Sequence, residues 1–452
     1  MRARINGGFE LKKNAITKVQ VVILAVVIVV AATAGGYYYY LSTLKPPVEP
    51  IKIGFLVNLS SPPYGEGRYG LFMAVDEINA AGGILGRPVE VIVEDHKGEL
   101  TLASAAYRKL VTEDKVLCVI DCNPSAISFP LQQLGAELYP SFRHIFFSSA
   151  ALTSELRYNF LDNYDKYKFW FSPCPWSVYY ARPEVMEQYW ELFKMIGVKK
   201  IAFLYEDRPP GWDALIYGEP RLGYKSFKED AIEAGFDVVY ESLIDINTKE
   251  WLPILDKCAA SGAEFINFGC SSAIDFVSLA KQWAISTAKD IPLLVSGTGV
   301  AGYSAYWDMT GGDCLGMFTV IPAMVKVPVN EKTIKFWDAL YKKYGKEAQW
   351  NTYFLYDAVY MLKLAIEKAG NAEDVEAIIK ALEKVEFVGV YGNCYFDKAH
   401  NFPYYEKGGY GAYYMCQWQG KGDCPVITPP DIVAKTNPGR SYIPPAELRK
   451  GT

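Results

Sequence analysis

Three histidines, nine cysteines and a set of hydroxyl-bearing loops are the parts of this chain with which chemistry could be done. His96, His144 and His400 leave little room for a histidine-based acid–base site, and only His96 directly follows a predicted strand. The cysteines stand at 118, 122, 174, 258, 270, 314, 394, 416 and 424, and no two form a CxxC pair, so a zinc site is not expected. Their odd number leaves at least one without an intramolecular partner. Cys394, Cys416 and Cys424, close in sequence on predicted adjacent strands, are the expected source of a disulfide. There is no GxxxxGK[ST] phosphate loop, no GxSxG elbow and no HExxH. The nearest string to GxGxxG, Gly297 to Gly302, follows a late strand instead of opening a first βαβ unit. A catalytic Asp/Glu pair stays open, since carboxylates are spread along the whole chain. The expectation is a protein with no catalytic residue, no cofactor and no metal.

Composition narrows the class. The chain has 452 residues, with 46 Lys+Arg against 51 Asp+Glu for a net charge of −5, and half of it is hydrophobic. So apolar a chain can offset its ordering entropy, which excludes intrinsic disorder. Its mild acidity argues against non-specific nucleic-acid binding. One stretch alone, 21–44, is long and uncharged enough to span a membrane, at about 36 Å as a helix. The basic segment before it (1–20) predicts the N-terminus inside and the rest outside. Ala34-Gly35-Gly36 leaves signal cleavage as the alternative to a retained anchor. Lys12-Lys13-Asn14-Ala15 before the β-branched run also resembles an archaeal pilin-type signal. Residues 45–50 read as a stiff Pro-rich linker.

The elements that position the loops alternate. Strands are predicted at 51–59, 89–95, 116–121 and 144–149, with helices over 70–83 and 101–113 between them. Such nearly unbroken apolar strands predict parallel sheet covered on both faces. The pattern restarts at 199–207 and continues through 236–244, 263–270 and 291–299, with helices near 219–234, 250–260 and 273–285. A helical block follows from 331. GNCYFD and GAYYMCQWQG then read as an antiparallel pair, and 425–452 reads as a Pro-rich tail. The aromatic stretch 150–185 is either a packed lobe edge or the wall of a cleft.

The string IKIGFLVNLSSPPYGEGRYGLFMAVDEINAAGGILGRPVEVIVED, with YFLYDAVYMLKLAIEKAG, GNCYFD and YMCQWQGKG near the end, resembles the Leu/Ile/Val-type extracytoplasmic solute-binding proteins of ABC transporters. The resemblance implies a type I periplasmic-binding-protein fold: α/β, two doubly wound parallel-sheet lobes joined by three hinge crossovers, here preceded by one N-terminal transmembrane helix. Crossings are expected near Phe171-Ser172, Pro322 and Gly392. Lobe 1 would combine 51–171 with 323–391, and lobe 2 would combine 172–322 with 392–424.

In open α/β sheets ligands sit beyond the carboxyl ends of strands, where loops offer N–H groups and helix N-termini. The resemblance places Ser125, after the third strand, on the family's carboxylate-binding serine; the alternative for Ser125 is a helix N-cap. Leu152 takes the place of the family threonine, for which Ser149 and Thr153 are substitutes only if the loop shifts. Ser60 and Tyr64 belong to the cleft mouth or to a Pro-Pro-Tyr-Gly turn. In lobe 2, Tyr217 resembles the family's aromatic wall, and Cys270 with Ser271 is expected to line the cleft. Thr298 occupies the position of the family's ammonium-binding Glu, so Glu206 or Asp207 either replaces that charge or is a solvated loop carboxylate. The sequon Asn58-Leu59-Ser60 is expected to be unused. The implied partners are a small amino-acid-like, carboxylate or amide solute and ABC permease and ATPase subunits. A sensor ectodomain or an enzyme on the same scaffold are the alternatives.

Overall fold

The computed structural model describes residues 18–43, 48–174, 183–207, 216–270, 274–296, 300–320, 325–402 and 414–451. Two units emerge, Met1–Glu49 and Pro50–Thr452. In the first, the uncharged stretch forms one helix, Lys18–Thr43, of 26 residues. Among the described residues no helix is long and apolar enough to cross a membrane. Several side chains of Lys18–Thr43 fall outside the described set, so the argument for a span rests on the sequence.

The second unit holds two sheets. β1 (Ile51–Val57), β2 (Val89–Asp95), β3 (Cys118–Asp121), β4 (Ile145–Ser148) and β5 (Trp170–Phe171) form one, in the order β2-β1-β3-β4-β5 with every neighbouring pair parallel. β6 (Lys200–Glu206), β7 (Asp237–Ile244), β8 (Phe265–Gly269), β9 (Leu293–Val295) and β10 (Phe318–Val320) form the parallel part of the other, in the order β7-β6-β8-β9-β10. All four residues of β3 and all four of β4 are buried, as strands covered on both faces require.

The helix Gly67–Ala80 buries Leu71, Val75 and Ile78, the face its spacing predicts. It lies against the helix Trp350–Ala369, which buries Val359, Leu362 and Ile366. The late helical block therefore belongs with the first sheet, and the ring of Tyr344, on the preceding helix Glu331–Tyr344, also lies 4.8 Å from Tyr69. Closeness here depends on Gly70, where a Cβ would collide with the Thr352 carbonyl.

Several expectations are corrected. The helix expected near 219–234 starts only at Phe227. Pro220 and a left-handed Gly223 make a turn first, and the capping box of Ser226 with Glu229 then sets the helix start. The two late strands do not pair with each other. β11 (Phe387–Val388) pairs with β12 (Asn393–Cys394), whereas β13 (Met415–Gln417) joins the second sheet beside β10. The stretch from 425 is no loose tail: β14 (Val426–Thr428) pairs with β13, Tyr442 stacks on Phe318, and the Arg449 guanidinium lies 4.5 Å from the Trp283 ring.

Beyond Gly392 the chain stays with the first sheet as far as Phe402. Phe396 lies 4.8 Å from Phe171, and Ser172 exchanges backbone hydrogen bonds with His400 (2.7 Å) and Phe402 (3.0 Å). The crossing expected near Pro322 lies outside the described residues.

All nine cysteines are buried and none is in a disulfide, so the bridge expected among Cys394, Cys416 and Cys424 is not formed. Cys394 sits on β12, in a different sheet from Cys416 on β13. Cys424 does lie against Cys416; burial and that thiol contact hold its pKa well up.

Replacing Gly70 with alanine should cost about 1–3 kcal/mol, because an added Cβ meets backbone that cannot move aside. Urea unfolding of the Gly70→Ala chain measures this; a midpoint equal to wild type would show that the helix pair is not so closely packed.

Candidate functional site

The carboxyl ends of β1, β3 and β4 converge on a small polar cluster. Ser125 opens the helix Ser125–Leu138, but the N-cap is Pro124, in extended conformation. The hydroxyl of Ser125 turns instead to the next strand-tip loop and accepts from the N–H of Leu152 (2.9 Å) and of Thr153 (3.0 Å). Ser125 thus ties the loop after β3 to the loop after β4. Two acceptor sites are used, which leaves its own hydrogen to donate.

Behind Ser125 the loop is held by buried polar side chains. Asn123 donates to the Leu56 carbonyl (3.0 Å) and meets His96 Nε2 through Oδ1 (2.7 Å). His96 is therefore an interior strut between the loops after β1, β2 and β3. Asp121 is fully buried and accepts from Ser128 Oγ (2.7 Å). Burial raises its carboxyl pKa to about 7, although hydrogen bonds from Ser128 and Asn123 oppose the rise. The other histidines are also interior. His144 bonds Tyr107 (2.8 Å), and burial lowers its pKa to about 4. His400 stacks on Phe171 at 3.9 Å and bonds the Trp170 carbonyl.

The remaining candidates divide. Ser149 is buried, and its hydroxyl donates to the Asp121 carbonyl, a backbone role. Thr153 is buried beside Ser125 and accepts from the N–H of Glu155 (3.3 Å). Ser60 is exposed and donates to Asn58 (2.8 Å), so the turn reading describes it better than the cleft mouth. Tyr64 is half-buried. Tyr217 is 69% exposed, just before the turn at 219–224. Cys270 is fully buried with its thiol on the Phe268 carbonyl, so it belongs to the core of the second sheet. Ser271 and Thr298 lie outside the described residues. Glu206 is fully buried at the end of β6, contrary to the solvated-loop reading, whereas Asp207 is exposed.

Sequence reasoning missed the residues that join the two lobes. Glu219, buried on the second-lobe turn, accepts from Ser154 Oγ and from the Tyr158 hydroxyl of the first lobe. Arg221 lies 4.0 Å over the Tyr158 ring and forms a two-pronged pair with Asp162 (2.6 and 3.2 Å). On another edge Tyr303 donates to Glu66 (3.2 Å), which also receives Gln349 (2.6 Å). The aromatic stretch thus serves both readings: Phe160, Tyr167, Phe169, Trp170 and Phe171 are core, while Tyr158 faces the other lobe. Among the described residues no group of three or more His, Cys, Asp or Glu side chains is placed to hold a metal.

Residues 50–423 match the family model described as periplasmic binding protein. The chain belongs to that family. Leu/Ile/Val-binding protein homolog 3 of Brucella melitensis is 26% identical over 336 residues, covering 74% of this chain and 83% of that protein. The branched-chain amino acid transporter substrate binding protein LivJ of Streptococcus pneumoniae, solved with isoleucine, has a TM-score of 0.64 at 22% identity, covering 84% of this chain and all of the other. A solute binding protein of an ABC transporter from R. palustris, solved with benzoate, has a TM-score of 0.64 at 17% identity, covering 84% of this chain and 95% of its own. At these identities the structures establish the fold, a type I periplasmic binding protein with parallel-sheet lobes. Members of the family are extracytoplasmic solute-binding proteins.

Asp121 makes a testable signature for the polar cluster. Its folded pKa of about 7 stands above the ordinary 3.8, so its contribution to stability is full below about pH 4 and is lost as pH rises to about 7. The loss is on the order of 4 kcal/mol. In Asp121→Asn that fall between pH 4 and 7 should flatten in urea titrations. An unchanged slope would place the titration elsewhere.

Proposed function

We propose that this periplasmic binding protein is the capture component of an ABC importer. It takes up a small amino-acid-like, carboxylate or amide solute between its lobes and releases it unaltered. The observation that supports this reading is the Ser125 hydroxyl with the Leu152 and Thr153 amides, set at strand tips one residue from the contact of Ser154 with the other lobe. A hydroxyl with a hydrogen to spare beside a helix N-terminus suits an anionic or amide oxygen. Solved relatives hold isoleucine in one case and benzoate in another. Both carry a carboxylate, and only one carries an ammonium, so the carboxylate is the feature on which this reading rests.

The division of the chain follows. Lobe 1 comprises 51–171, 325–391 and the strap 392–402, and lobe 2 comprises 174–320 with 414–451. This assigns the strap to the first lobe and the former tail to the second. The helix Lys18–Thr43 anchors the protein to the membrane, with permease and ATPase subunits as partners on that surface.

A thermal-shift screen with amino acids, amides, short carboxylates and aromatic acids should find a solute that raises the melting temperature, because binding to the folded state alone stabilises it by mass action. Ser125→Ala should weaken that solute by at least about tenfold, the effect of one charge-assisted hydrogen bond. A full-sized shift in the variant would remove Ser125 from the site, and turnover of the solute would replace carrier by enzyme.

A further inference from the structure

We propose that Glu219 is a closure latch, a carboxylate on the second lobe that holds the first lobe shut through Ser154 and Tyr158. The inference rests on the two-lobe reading above and adds to it a specific fastening. Glu219 is 4% exposed, and its two carboxyl oxygens accept from two different first-lobe hydroxyls. A buried carboxylate needs such donors, and one that lost them on opening would have to be taken up by water. The latch therefore has two defined states. Beside it, Arg221 caps the Tyr158 ring and pairs with Asp162. That pair is about half exposed on each side (48% and 62%), so it steers the closing surfaces more than it holds them.

The latch also reaches the solute anchor. Leu152, Thr153 and Ser154 are consecutive. Ser125 grips the first two through their amides, and Glu219 grips the third through its hydroxyl. The three-residue loop is thus pinned at one end by the anchor and at the other by the opposite lobe. A solute that draws on Ser125 moves the loop that carries the latch, so occupancy and closure share one short piece of backbone. Through Ser154 and Tyr158 Glu219 acts as a positioning residue.

Hydrogen exchange of the full chain without added solute tests the latch apart from any question of ligand identity. Wild type should protect the amides of 152–162 on one lobe and 216–226 on the other. In Tyr158→Phe, where the Glu219 turn is left untouched, exchange should rise about tenfold in both segments, while β1, β3 and β8 stay as in wild type. Glu219→Gln should do the same. Tyr158→Phe combined with Glu219→Gln should rise by less than the two single effects together, because the variants share the Tyr158–Glu219 contact. Unchanged exchange at 216–226 in Tyr158→Phe, or a strictly additive double variant, would overturn the latch. Neither outcome bears on whether a solute binds, and a failed solute screen would leave the latch standing.

Discussion

The hydroxyl of Ser125, accepting two amides from a neighbouring loop, is the interaction on which the site depends. Parallel strands end together, so their following loops crowd one edge of each sheet with backbone N–H groups that the ladder no longer satisfies. Something must accept those groups. In the first lobe a serine does so at the tip of β3, and it locks the tip of β4 in the same act. The buried polar groups behind it, Asn123, His96, Asp121 and Ser128, bond one another and the strand ends.

Support for the serine is costly and interior. Burial lifts the Asp121 carboxyl well above its ordinary pKa, Asn123 bridges Leu56 and His96, and Ser128 fastens Asp121 from the helix above. These are groups that a purely structural core would replace with apolar side chains. Their presence behind a strand-tip loop is economical only if the loop has to present a defined polar surface. The second lobe contributes a different chemistry, the buried carboxylate of Glu219 aimed across the seam.

Much of this was legible in the residues. Continuous apolar runs such as VLCVID and IFFS gave the buried parallel strands, and the spacing of Leu71, Val75 and Ile78 gave the helix face. The partners of Ser125 were not legible: a serine before a helix reads as a cap, and only the fold shows that Pro124 holds that position. Glu219 could not be found from sequence. Its meaning comes from Ser154 and Tyr158, more than sixty residues away in the chain. The Pro-rich C-terminus misled for a related reason. Prolines argue against strand and helix interiors, but at Pro429 and Pro430 they sit just outside β14 and at a helix start, where they are tolerated.

A crystal structure of the protein grown with the solute that stabilises it most would test the account at its centre. The account predicts an intact solute between the lobes, with an oxygen about 3 Å from Ser125 Oγ, hydrogen-bond distance, and Glu219 still on Tyr158. A solute seated elsewhere, or one found chemically changed, would contradict it.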